Sequence, residues 1–199
     1  MDEGERVRMS CRITLICHAA TVAMRGGIFP GDVLLDLPAR PLPAALAARL
    51  PAWDRAWTSP AEAARRTAHA LGLAAAVPTA DLRDGDLGRW AGRSLAAIAA
   101  DEPAALAAWL ADPATAPHGG EDGAALLDRV GGWLEACARL GGRTLGVTHA
   151  AVVRAAIVHA LGAGPPVLRH IDAAPLTLTE LGWHAGCWRL RATGGRLGR

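Results

Sequence analysis

ITLICHAAT, residues 13–21, sets an apolar, β-branched run directly before a histidine. Ile13, Thr14, Leu15 and Ile16 suit a buried strand, and the small and polar residues after Cys17 suit the turn that ends it. The design recurs late in the chain. RTLGVTH, residues 143–149, is an apolar strand that closes on His149, and AAVVRAAIVHALGAG then reads as a helix with a glycine-rich stop. In open α/β sheets the ligand crevice lies beyond the C-terminal ends of the strands. If these two strands are neighbours, His18 and His149 enter one crevice. Adjacent strand residues point to opposite faces, so the strand must end between Cys17 and His18 for that to happen.

Working outward, AWDRAWTSP reads as a strand ending at Thr58, with Ser59 and Pro60 as N-cap and first residue of a helix AEAARRTAHAL that stops at Gly72. A short strand is expected in AAVPT, helices over 94–111 with a break at Pro103, and one long helix in GGEDGAALLDRVGGWLEACARLGG, bounded by glycines. A further Ala/Leu helix is expected at about 43–50, and PLTLTEL and GCWRLRAT read as two final strands. Strands alternating with helices predict a single α/β domain: an open, mostly parallel central sheet with helices on both faces. The expected domain spans 11–194, with loose tails at 1–10 and 195–199.

Composition narrows the function. The chain has 199 residues, 51% of them hydrophobic and 20% charged, which fits one globular domain with a substantial core. Its net charge is +2, its basic side chains other than histidine are all Arg, and no basic run suggests a nucleic-acid or membrane surface. No apolar run has the length of a membrane span. MDEGERVRMSC has no apolar core like that of a signal peptide. The four cysteines form no CxxC pair, which suits a reducing compartment, and a cytoplasmic location is expected. A small-molecule substrate is the expected partner; a homodimer is left open.

Five segments, in order, resemble the histidine phosphatase superfamily, the group of cofactor-dependent phosphoglycerate mutases and α-ribazole phosphatases. They are Cys17-His18-Ala19-Ala20-Thr21, SPAEAARRTA (59–68), LRDGDLGRWAG (82–92), GGED (119–122) and VTHAAVVR (147–154). The resemblance implies that His18 is a nucleophile that becomes a phosphohistidine, that His149 is the second histidine, and that Asp84 is the proton donor, one methylene shorter than the usual Glu. Asp86 is the alternative acid. Expected substrate contacts are Cys17, Thr21, Arg25, Ser59, Arg66, Trp90 and Ala150. No metal or organic cofactor is implied. Cys, His, His and Asp could bind zinc by residue type, but nothing in their spacing supports it.

Three positions depart from the family pattern. Cys17 stands where the first phosphate-binding arginine is usual, Ala63 where the second is usual, and Met24 where many members have Asn. Arginine suits a phosphoryl group because its fork holds two oxygens and stays charged. A charge-assisted hydrogen bond is worth about 1.5–3 kcal/mol. Losing two costs about 3–6 kcal/mol, or roughly 10²–10⁴ in rate if fully felt in the transition state. Arg25 in the loop after His18 and Arg66, on the same helix face as position 63, are the candidates to compensate. Arg154 matches a family arginine that is more often structural, and Arg169 and His170 could line the crevice. Cys17 reads first as a small apolar strand end, and second as a reactive thiolate beside imidazole.

Three functions follow as expectations. The first is a divergent phosphomonoester hydrolase acting through His18. The second is a recruited isomerase, lyase or cyclase that uses His18, His149 and Asp84 for acid–base work. The third is a non-catalytic relative that binds a ligand or partner.

Overall fold

The computed structural model describes residues 10–30 and 44–197. The first position of the expected 43–50 helix and most of the N-terminal tail lie outside the described residues. The remainder of that helix, Ala44–Arg49, is a 3-10 helix.

Six strands form one sheet: β1 (Ser10–Cys17), β2 (Arg55–Thr58), β3 (Val77–Pro78), β4 (Gly142–Thr148), β5 (Thr177–His184) and β6 (Cys187–Arg196), in the order β3-β2-β4-β1-β5-β6. β3, β2, β4 and β1 are mutually parallel. β5 runs antiparallel to β1, and β6 to β5. The sheet is thus mixed, with its parallel part carrying both strand-end histidines. Ala185 and Gly186, both at positive φ, make the two-residue turn that joins the last two strands. β6 runs through residues 195 and 196, which the sequence suggests as part of a loose tail.

The helices are α1 (Val22–Arg25), α2 (Glu62–Ala70), α3 (Leu95–Asp101), α4 (Pro103–Ala111), α5 (Gly123–Leu140) and α6 (Ala150–Ala160). Their ends follow local chemistry. Pro103 ends α3 and opens α4 as its first residue. Asp122 caps α5 by accepting the Ala125 N–H, and Gly141, at φ 62°, closes it.

Alternation along β1 builds the two halves of the core. Ile13, Leu15 and Cys17 pack against α5 and α6, whereas Ile16 packs on the other face with Ala64, Ala68 and Leu71 around α2. A third, smaller cluster joins Trp90, Ile98 and Leu106 to Phe29 and Trp109. β1 and β4 are neighbours, with Cys17 opposite Thr148 in the last rung. The next residue on each is a histidine.

Candidate active site

β1 ends at Cys17, and the His18 N–H donates to the Thr148 carbonyl at 2.8 Å, so the two strand ends stay tied. Nδ1 of His18 lies 2.7 Å from the Ala19 carbonyl. A carbonyl only accepts, so Nδ1 carries the hydrogen and the lone pair of the neutral ring sits on Nε2. The turn after it is pinned to α2: the Ala19 N–H donates to Thr67 Oγ1 at 3.1 Å, and that hydroxyl donates to the Ala63 carbonyl at 2.7 Å.

His149 is the N-cap residue of α6. Its Nδ1 lies 3.3 Å from Asp84 Oδ2, and its Nε2 lies 2.8 Å from Ser59 Oγ. The carboxylate requires Nδ1–H when the ring is neutral, which leaves Nε2 to accept from the Ser59 hydroxyl. Ser59 Oγ in turn accepts the Ala61 N–H at 3.2 Å. The result is a hydroxyl–imidazole–carboxylate chain beside His18. The two imidazoles meet edge to face, 4.9 Å between centroids and 73° between planes.

Burial alone would push the Asp84 carboxyl up. The charge and hydrogen bond of His149, the Gly85 N–H and the charge of His18 more than reverse this and hold it below the usual carboxylate range. Asp84 is therefore an anion near neutral pH. Of the two candidate acids, it is Asp84 that meets His149; Asp86 Oδ1 instead accepts the Gly88 N–H within its own turn.

Asp84 is held from behind by residues to which sequence reasoning assigns no role. Arg129 meets Glu121 through two contacts, Nε to Oε1 at 2.7 Å and Nη2 to Oε2 at 2.6 Å. The same guanidinium donates to the carbonyls of Asp81, Arg83 and Asp84 at 2.7, 3.1 and 3.4 Å. Thr148 Oγ1 adds a bond to the Leu82 carbonyl at 2.7 Å. An acidic residue in GGED that turns out buried against an arginine of α5 is a signal the sequence carries, but only in hindsight of the pairing.

The other expected residues take several places. Ser59 does not cap α2; the helix begins at Glu62 after an N-cap at Ala61, and the Ser59 hydroxyl is given to His149. Cys17 has no exposed surface, and burial, with Asp84 adding to it, pushes its thiol up to about 12 despite the opposing charge of Arg154. A thiolate there is not available near neutral pH. Thr21 is buried and caps α1 by accepting the Met24 N–H at 3.2 Å. Arg25 and Met24 are exposed on α1.

Arg66 is turned away by Glu62, whose carboxylate accepts its Nε–H at 2.5 Å. It lines a separate cavity of about 440 Å³ with Arg65, His69 and Pro78. Trp90 is fully buried, stacks with Phe29 and meets Trp109 edge to face in the small cluster, so it supports the loop after Asp84 and presents no face to a ligand. Ala150 is the first residue of α6. Arg169 is exposed and donates to the Ala111 carbonyl.

Among the described residues no group of three or more His, Cys, Asp and Glu is arranged to hold a metal ion. None of the described helices is long and apolar enough to cross a membrane.

Residues 13–194 match the family model of the histidine phosphatase superfamily (branch 1). No curated protein matches the chain. Solved structures do. The α-ribazole phosphatase from Shigella flexneri is 22% identical over 93% of this chain and 96% of its own, with a TM-score of 0.82. Mycobacterial glucosyl-3-phosphoglycerate phosphatase, solved with VO3, is 24% identical over 92% and 98%, with a TM-score of 0.78. A mutant phosphoserine phosphatase from Entamoeba histolytica, solved in complex with phosphoserine, is 15% identical over 92% and 96%, with a TM-score of 0.78. At these identities the likeness is one of fold.

Proposed function

The chain belongs to the histidine phosphatase superfamily, and on that premise we propose that it hydrolyses a phosphomonoester of a small metabolite with His18 as the nucleophile. The observation that carries this reading is the Nδ1–H bond from His18 to the Ala19 carbonyl. It orients the ring and leaves Nε2 as the attacking nitrogen. Nε2 attacks phosphorus, the P–O bond to the leaving group breaks, and water later cleaves the P–N bond.

The leaving oxygen needs a proton. Asp84 is ionised, so we assign the proton donation to His149, which Asp84 contacts through Nδ1. Charge on the phosphoryl oxygens must be met by fixed donors. No side chain caps the start of α6, and its first N–H groups, from Ala150 on, offer such donors at the His149 end.

Vanadate, which mimics five-coordinate phosphorus, tests the reading without a choice of substrate. Calorimetry is expected to show saturable binding by the wild type and none by His18→Ala. A wild type that does not bind would overturn the reading.

A second reading is acid–base catalysis on an uncharged metabolite. Two observations favour it: Arg66 is held by Glu62 and Arg25 is exposed, so neither supplies the charge expected at positions 17 and 63. Two imidazoles and an ionised carboxylate suit proton transfer at carbon. Failure to bind vanadate combined with His18-dependent exchange of a substrate C–H proton would establish this reading over the first.

A further inference from the structure

Arg154 stands in α6 five residues after His149. Its Nε is buried and has no hydrogen-bond partner, and its guanidinium forms no ion pair with any described residue. Four other described side chains have a buried polar atom without a partner: Trp57, Trp90, Thr144 and His118. The first three are neutral, and burial works against a charge on His118. Arg154 is the one that carries a permanent charge. A buried donor on a cation is costly to leave unmet, so an arginine in this state is suited to an anion supplied from outside the chain.

Its position indicates which anion. Side chains on a helix lean toward the helix N-terminus, which for α6 is the His149 end. α6 packs on β1, and Cys17, the last residue of that strand, lies in the same core cluster as the residues flanking Arg154, Val153 and Ala155. The Cys17 thiol feels the charge of Arg154 together with those of Asp84 and Asp172. Neither carboxylate neutralises the arginine. Asp84 is committed to His149 and the Gly85 N–H, and Asp172 is exposed and makes no ion pair with Arg154. Burial keeps the Cys17 thiol neutral, so the side chain at position 17 brings no charge of its own to this end of β1.

We propose that Arg154 is an anion-binding residue of this site: its guanidinium, held beneath the end of β1, donates to the oxygens of the phosphoryl group presented to His18. The ligand class is a phosphomonoester dianion, met by one arginine from the helix after His149 and by backbone donors, in place of arginines at positions 17 and 63. The inference rests on the phosphoryl reading above.

The test uses the full chain with vanadate as probe, comparing the wild type, Arg154→Met and Arg154→Lys by calorimetry and by thermal unfolding without ligand. Arg154→Met is expected to weaken vanadate binding about tenfold or more, the loss of one charge-assisted contact. Its Tm is expected to stay level or rise, because an unpaired buried charge has been replaced by an apolar chain of similar length. Arg154→Lys is expected to fall between. Unchanged binding in Arg154→Met, with the wild type binding, would overturn this inference and leave the phosphoryl reading intact. A Tm lowered by several degrees would also overturn it, since that marks a structural arginine. A wild type that binds no vanadate removes both.

Discussion

His149 and His159 stand at opposite ends of α6, and each lies beside a carboxylate. His149 is 3.3 Å from Asp84, and His159 is 3.1 Å from Glu135. The pairs differ in what surrounds them. The side chains of His149 and Asp84 are 6% and 22% exposed; those of His159 and Glu135 are 28% and 44% exposed. Solvent screens the second pair, and such contacts are worth about 0–1 kcal/mol. It staples α5 to α6 and, through Trp188 Nε1 donating to Glu135 at 2.6 Å, to β6. The first pair is nearly dry, its other ring nitrogen is met by Ser59, and it touches a second imidazole. A histidine–carboxylate contact is thus not in itself a mark of chemistry. Burial and the occupant of the second nitrogen separate a site from a staple.

The contrast breaks first at His149. His149→Ala is expected to lower turnover of any phosphomonoester found to be a substrate by about 10²–10⁴, the usual contribution of a positioned acid–base group. His159→Ala is expected to leave turnover unchanged, and steady-state kinetics on the two variants compares them directly. A similar loss in both would erase the distinction.

Asp84→Asn is expected to have the next largest effect, because the amide cannot hold the proton on His149. Its signature is in the pH dependence of stability. The folded pKa of Asp84 is lowered, so its contribution is fully present above the unfolded value of about 3.9 and is lost as pH falls through the lower folded value. Unfolding midpoints measured from pH 7 down to pH 2 should therefore decline less steeply in Asp84→Asn than in the wild type. Parallel curves would mean the carboxylate is not held by His149.

Smaller effects are expected at the staple. A Cβ on Gly131 would lie 2.5 Å from His159 Nδ1, so Gly131→Ala must displace the ring. Overpacking typically costs about 1–3 kcal/mol and helix propensity returns about 1, so a net loss of about 1 kcal/mol is expected with turnover intact. Glu135→Gln, at a screened site, should cost well under about 1 kcal/mol by denaturant unfolding. A large loss of turnover from either variant would join the two regions functionally.

Much of this was legible from the residues. The ends of β1 and β4 were set by where apolar alternation gives way to His18 and His149, and their pairing follows once both belong to the parallel part of one sheet. Pro103 and the glycines at 141 and 142 marked helix ends because their backbone chemistry acts locally. Ser59 misled for the same reason: a serine before proline is a good local cap, but a buried imidazole 90 positions later claimed its hydroxyl. Arg66 looked able to replace an arginine at position 63, because helix spacing places it on that face. Glu62, four residues earlier and on the same surface, holds it instead. Glu121 stands in GGED, but its pairing with Arg129 behind Asp84 left no local mark, since the pair joins a helix to a loop through carbonyls of a third segment.

The amino-acid sequence by itself determined the family, the α/β alternation and the two strand-end histidines, because periodicity and turn chemistry act over a few residues. The tertiary structure alone decided which groups meet the two ring nitrogens of His149, that Cys17 and Trp90 are enclosed, and that Arg154 Nε has no hydrogen-bond partner among the described residues. Those outcomes depend on burial and on contacts between distant segments, and both arise only when the sheet and its helices close on one another.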